Sequence, residues 1–150
     1  EAWTDDLLEP LLAAAAAHGL ETIEQPLPDG RDDRLASILH PLPVTADEAA
    51  HAADSVDRLV GRYDAVNIKL DKTGGLTEAL RLKQAATAQG YAIMVGCMLA
   101  TSLSMAPAVL VAQDAQVVDL DGPLLLARDR PAGLRFDGSL VHPAEPALWG

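Results

Sequence analysis

Five residues of this 150-residue chain combine reactive side chains with suggestive positions: Glu24, Asp47, Lys69, Asp119 and Asp121. Glu24 stands in "IEQP" and Asp47 in "TADE". Carboxylates at the ends of neighbouring strands can share a hard cation such as Mg²⁺, which takes oxygen ligands. A complete site of that kind wants a third ligand. The alternative is that each acid is a helix N-cap or a solvated loop residue. Glu48 is the weaker candidate, because on a strand it points away from the face of Asp47. Lys69 ends the run "AVNIKL", in which Asn67 and Lys69 share one face and Ile68 and Leu70 the other. A lysine partly buried beside a cation can lose its proton near neutrality and act as a general base. Otherwise it snorkels to solvent or pairs with Asp71. Lys72 falls in the following turn and is expected to be solvated. Asp119 and Asp121, in "DLDGP", share a face. They can hold a ligand ammonium group, or they are turn acids before Gly122-Pro123.

These residues need elements to hold them. "TDDLLEPLLAAAAAHG" reads as a helix with Thr4 as cap, Gly19 as stop and Pro10 as a kink or a late start. "LETIEQP", "PLPVTADE", "YDAVNIKL", "YAIMVGCM" and "AQVVDL" read as strands. Between them, "DGRDDRLASILH" reads as a loop and short helix, and "AAHAADSVDRLVG", "LTEALRLKQAATAQG" and "TSLSMAPAVLVAQ" as helices. In "LTEALRLKQAATAQG", Leu76, Ala79, Leu80 and Lys83 fall in helical register. Gly74 and Gly75 either let a ligand approach the backbone or make the turn into that helix. Strand and helix alternate, which implies parallel strands with crossover helices. Glu24, Asp47, Lys69, Gly96 and Asp119 stand at successive strand ends, at intervals of 23, 22, 27 and 23 residues. A strand, a loop and a short helix of a (β/α) barrel occupy such a unit, and barrel chemistry sits at the carboxyl ends of the strands. Five strands make only part of a barrel. An open doubly wound sheet is the competing architecture, although the first βα turn has no Gly-rich dinucleotide fingerprint.

Composition narrows the function classes. The net charge of −11 argues against nucleic acid as a partner, since that needs a basic face. Hydrophobic residues make up 49 % of the chain and aromatics 3 %, so the core must be built from Ala, Leu and Val. The only cysteine, Cys97, excludes an internal disulfide, and a reducing compartment, the cytoplasm, is expected. There is no signal-peptide pattern and no apolar run long enough to span a bilayer. The four histidines show no ligand spacing. Near the end, "GLRFDGSLVHPAEPALWG" is turn-rich, with a hairpin signal at Asp137-Gly138.

The segments "EAWT", "IEQPLP", "TADE", "VNIKLDKTGGLTEAL", "MVGCM" and "DLDGP", in this order and spacing, resemble the C-terminal part of the enolase superfamily. Within it they look most like the dipeptide epimerases, the L-Ala-D/L-Glu epimerase group. "IEQP" is shared by many subgroups, whereas "NIKLDKTGGLTEAL" followed by "DLDGP" is far more specific. The resemblance implies the C-terminal portion of a modified (β/α)7β barrel over residues 1–128. Residues 129–150 would be a tail returning toward a capping domain. It implies Mg²⁺ held by Glu24 and Asp47, with Lys69 as one of two acid/base lysines. Asp119 and Asp121 would grip the dipeptide ammonium group, and Met98 would line the substrate pocket. It also implies parts outside this chain: an Asp-Ala-Asn segment with the first metal ligand just before "EAWT", the opposing lysine from a Lys-x-Lys motif, and the capping domain. The expected reaction is epimerisation of dipeptides through an enediolate, by removal and return of the α-proton. Other superfamily reactions remain open: muconate cycloisomerase, o-succinylbenzoate synthase or N-acylamino acid racemase. So does a non-catalytic half-barrel that depends on the missing N-terminal half. Symmetric homo-oligomers are common in such barrels.

Overall fold

The computed structural model describes residues 1–150. Helix α1 spans Asp5–Ala17 and leads into strand β1, Ile23–Glu24. Then come β2 (Val44–Ala46), β3 (Ala65–Ile68), a one-turn helix α2 (Leu70–Thr73) and α3 (Leu76–Ala88). The chain continues through β4 (Ala92–Val95), α4 (Ser102–Val111) and β5 (Val117–Val118). A hairpin of β6 (Phe136–Asp137) and β7 (Leu140–Val141) follows, so the expected turn falls one residue later, at Gly138-Ser139.

Strands β1 to β5 form one sheet, and all four pairings are parallel. Their order in the sheet is their order in the chain. A doubly wound sheet must reverse direction at a switch point. None exists here, so the open-sheet alternative is excluded and the sheet is the wall of half a barrel. Helix α3 packs on β3 and β4, and it also touches α4 and the segment between β2 and β3. The connections thus form a continuous layer over the sheet. All four residues of β3 are buried, as expected for a parallel strand covered on both faces.

Local chemistry explains the departures from expectation. The helix expected in "AAHAADSVDRLVG" is a run of 3₁₀ turns, Ala53–Leu59. There Ser55 Oγ donates to the Ala52 carbonyl at 2.6 Å and accepts from the His51 and Ala52 N–H groups. Such local bonds compete with the α-helical ladder. The Thr4 hydroxyl donates to Asp6 rather than accepting from a helix N–H, so its side chain is not the cap. Pro10 sits inside α1. In α3 the buried face is Ala79, Leu82 and Ala86, whereas Leu80 is exposed. Gly74 adopts φ +72° and Gly75 φ +132°, and together they turn the chain from α2 into α3.

One apolar cluster joins Leu8 and Leu12 of α1 to Val44, Val66, Ile68 and Val95 of the sheet and Leu82 and Val111 of the helices. The tail is fastened to this body at Ser102. Its N–H and hydroxyl donate to Asp129, and its oxygen accepts from the Leu134 N–H at 2.9 Å. Tyr63 is the only aromatic residue that is fully buried. Its hydroxyl donates to Asp32 at 2.6 Å. Burial first, and the Asp32 carboxylate second, push that hydroxyl far above its ordinary value of 10.0. In the unfolded chain Tyr63 would ionise near pH 10, while in the folded chain it keeps its proton. The unfolded state then binds fewer protons, so stability falls as pH rises. Urea unfolding above about pH 10 should show a Tyr63-dependent loss of about 1.4 kcal/mol per pH unit. Tyr63→Phe should lack that component. An identical slope in the variant would contradict it.

Candidate active site

The carboxyl ends of β1, β2 and β3 bring Glu24, Asp47 and Lys69 together. Parallel pairing sets the strand ends side by side, with Glu24 opposite Thr45 and Ala46 opposite Val66. The Lys69 ammonium donates to Asp47 Oδ2 at 2.5 Å and lies 3.4 Å from Glu24 Oε1. Asn67, two residues before Lys69 and on the same face, donates to Glu24 Oε1 at 2.7 Å. The face assigned from strand alternation therefore carries the cluster.

Lys72 is not solvated, contrary to the sequence-based expectation. Its ammonium donates to Asp47 Oδ1, to the Asp47 carbonyl at 2.5 Å and to the Asn67 carbonyl at 3.0 Å. The reason is α2. Its single helical turn starts directly after Lys69 and carries Lys72 back over the strand end. The spacing Lys-x-x-Lys was the available signal, because residues three apart share a helix face.

Asn67 also went unnoticed as a site residue. It is completely buried, and its Oδ1 has no hydrogen-bond partner. Gly96 explains how it fits. A Cβ at Gly96 would lie 2.7 Å from Asn67 Oδ1 and 2.9 Å from Nδ2. The strand-end glycine makes room for the amide that orients Glu24.

Charge is unevenly shared. Burial raises the Glu24 carboxyl, and the neighbouring Asp47 carboxyl adds to that. Burial also works to raise Asp47, but Glu24, Lys69 and Lys72 outweigh it and hold Asp47 down to about 2. Glu24 is thus the first of the two to take a proton. Burial acts to lower the Lys69 ammonium, yet Asp47 and Glu24 overcome it and raise the value. That direction is opposite to the expected loss of the Lys69 proton near neutrality, because two acids hold the ammonium in place. In Lys72 burial prevails over Asp47, and the value is lowered.

Further along the sheet, β5 ends at Val118, and the Asp119 N–H donates to the Val95 carbonyl at 2.9 Å. Asp119 and Asp121 are both exposed. Burial, followed by the charge of Asp121, raises Asp119, and Lys69 is near enough to oppose this. Both acids line a cavity of about 440 Å³ between α4, β5 and the β6–β7 hairpin. Met98 lies beyond β4 and is half exposed, with its carbonyl against Gly122. The five residues singled out by sequence therefore occupy one end of the sheet, with Met98 between the two groups of acids.

The donors present suit a hard cation in type, being carboxylate oxygens. Glu48 Oε2 and Asn67 Oδ1 beside them are buried oxygens without partners. The set is incomplete in number, because no third His, Cys, Asp or Glu joins Glu24 and Asp47 in a metal-holding group.

Comparison with known proteins gives the family. The family described as enolase C-terminal domain-like matches residues 1–143. The chain belongs to that family. It is 46 % identical over its whole length to an N-acetyl-D-glutamate racemase from Pseudoalteromonas sp, of which it covers 48 %. It is 44 % identical over 142 residues, 95 % of the chain, to the L-Ala-D/L-Glu epimerase of Escherichia coli K12, of which it covers 44 %. A crystal structure of an enolase family member from Agrobacterium tumefaciens, with homology to dipeptide epimerases and with bound sodium and L-Ala-L-Glu, superposes with a TM-score of 0.98. The identity is 59 %, and the match covers all of this chain and 46 % of that one. The chain spans about half the length of the curated relatives it matches.

Gly96→Ala tests the packing at the strand ends. It should destabilise the fold by about 1–3 kcal/mol in urea unfolding, because the methyl group collides with a side chain that cannot move aside. A change near zero would show that Asn67 is free to shift.

Proposed function

We propose that the protein carrying this chain epimerises dipeptides of the L-Ala-D/L-Glu type, by removing and returning the proton on the carbon next to the terminal carboxylate. The observation that carries the reading is the order of charges along the sheet. Acids end β1 and β2, a lysine ends β3, and a second pair of acids follows β5. A dipeptide has the matching polarity, with an anionic carboxylate at one end and an ammonium group at the other. Two strand spacings separate β3 from β5, about 10 Å. An extended dipeptide of about 7 Å, with the reach of the flanking side chains, fits between them.

In this reading Lys69 stands over the α-carbon and exchanges its proton. A bound Mg²⁺, held by Glu24 and Asp47 with a third ligand from outside these residues, would supply positive charge that offsets both their hold on Lys69 and the charge building on the substrate carboxylate. Asp119 and Asp121 receive the ammonium group and fix the orientation before chemistry. Met98 contacts the substrate between the two ends. Lys72 and Asn67 hold Asp47 and Glu24 in place. The opposite face of the α-carbon needs a second acid/base group, which the family resemblance puts outside this chain.

A second reading, racemisation of N-acylated amino acids, is favoured by the 46 % identity to an N-acetyl-D-glutamate racemase. An acylated nitrogen carries no charge, and the Asp119–Asp121 pair is then left without a cationic partner. Deuterium uptake at the α-carbon in D₂O separates the two. The full-length protein with Mg²⁺ should exchange L-Ala-L-Glu faster than N-acetylglutamate. Lys69→Ala should lower the rate by about 10²–10⁴-fold. Exchange of N-acetylglutamate alone would replace the first reading with the second. No exchange with any dipeptide would sink the first.

A further inference from the structure

Behind the two carboxylates lies a chain of buried side chains that contacts no substrate-facing atom. Gln25 follows Glu24 directly and is 2 % exposed. It adopts φ +32°, a conformation that L residues other than Asn and Asp rarely take. The result is a side chain turned inward, between β1 and β2. Its Oε1 accepts from the Asp47 N–H at 2.9 Å and from the Ala49 N–H at 3.3 Å. Its Nε2 donates to the Leu27 carbonyl at 3.0 Å and to the Tyr63 hydroxyl at 2.8 Å. Tyr63 donates to Asp32 Oδ2 at 2.6 Å, and Arg62 donates to Asp32 Oδ1 at 2.8 Å.

These bonds have a direction. Tyr63 has one hydroxyl proton, and the Asp32 carboxylate takes it. The Tyr63 oxygen can then only accept, so the nearer end of Gln25 must be its amide nitrogen. The other end is the oxygen, facing two backbone N–H groups. The reverse orientation would set an NH₂ against two N–H donors. We propose that Gln25, held in this one orientation by Tyr63 and Asp32, is the positioning residue that fixes the Asp47 carboxylate relative to Glu24 for binding a divalent cation. The proposal rests on the metal-site reading above. Strain at Gln25 and its seating beside Glu24 serve the same end, since one residue then ties both strand ends. Groups that orient metal ligands in this way typically matter ten- to hundredfold in affinity.

Isothermal titration of the full-length protein with Mn²⁺ tests it. Tyr63→Phe keeps the ring but removes the hydroxyl, so the Gln25 amide nitrogen keeps only the Leu27 carbonyl and is held less firmly. Gln25→Met keeps the length but removes both ends of the bond. Asp32→Asn is the most discriminating variant. With Arg62 still on Oδ1, the new NH₂ faces Tyr63, the Tyr63 hydroxyl then donates to the Gln25 oxygen, and the flipped amide loses its bonds from the Asp47 and Ala49 N–H groups. Each should raise the Mn²⁺ dissociation constant about ten- to hundredfold. Leu35→Ala, a buried apolar control in the 3₁₀ turns of Asp33–Ser37, should lower the thermal midpoint and leave the constant within about twofold. If Gln25→Met fails to fold, Tyr63→Phe and Asp32→Asn decide. Wild-type Mn²⁺ binding with all folded variants within about twofold of it would overturn the relay and leave the metal-site reading intact. No Mn²⁺ binding by the wild type would overturn both.

Discussion

Two carboxylates that meet at adjacent strand ends repel each other unless positive charge stands between them. That constraint governs the site. Unit charges 4 Å apart interact by about 4 kcal/mol at the effective dielectric of a protein surface. Here Lys69 bridges Asp47 and Glu24, and Lys72 covers the other Asp47 oxygen. The ammonium groups leave Asp47 charged while Glu24 is the readier to take a proton. A divalent cation held by both acids would have to take over the positive charge that Lys69 and Lys72 supply here.

The rest of the fold follows from keeping those groups close without collapsing them together. Parallel strands in chain order bring successive strand ends to one rim. Covering helices bury the strands, so the polar groups at their ends must find partners inside the protein. Asn67 meets Glu24, Gly96 gives Asn67 room, and Gln25 meets the Asp47 backbone. The aliphatic core supplies stability but little specificity. Direction comes from the few buried polar side chains, each with a defined partner.

Much of this was legible in the sequence. The alternation of elements and the regular spacing from Glu24 to Asp119 indicated a barrel wall, because both are set by repeating local geometry. The placement of Asn67 and Lys69 on one face followed from strand periodicity. Lys72 was misread because α2 is a single turn, too short to show periodicity. Ala53–Leu59 was misread because apolar and charged spacing resembles a helix, while Ser55 bonds locally. The roles of Gln25, Tyr63 and Asp32 depend on contacts between residues up to 38 positions apart, which no local pattern records.

The most direct measurement is a crystal structure of the full-length protein grown with Mn²⁺, read from its anomalous difference map. This account requires a peak bonded to both Glu24 and Asp47, with the Lys69 ammonium on the same side of the sheet and facing the same cavity. A Mn²⁺ peak away from these two carboxylates, or a Lys69 side chain directed to the opposite face, would contradict it.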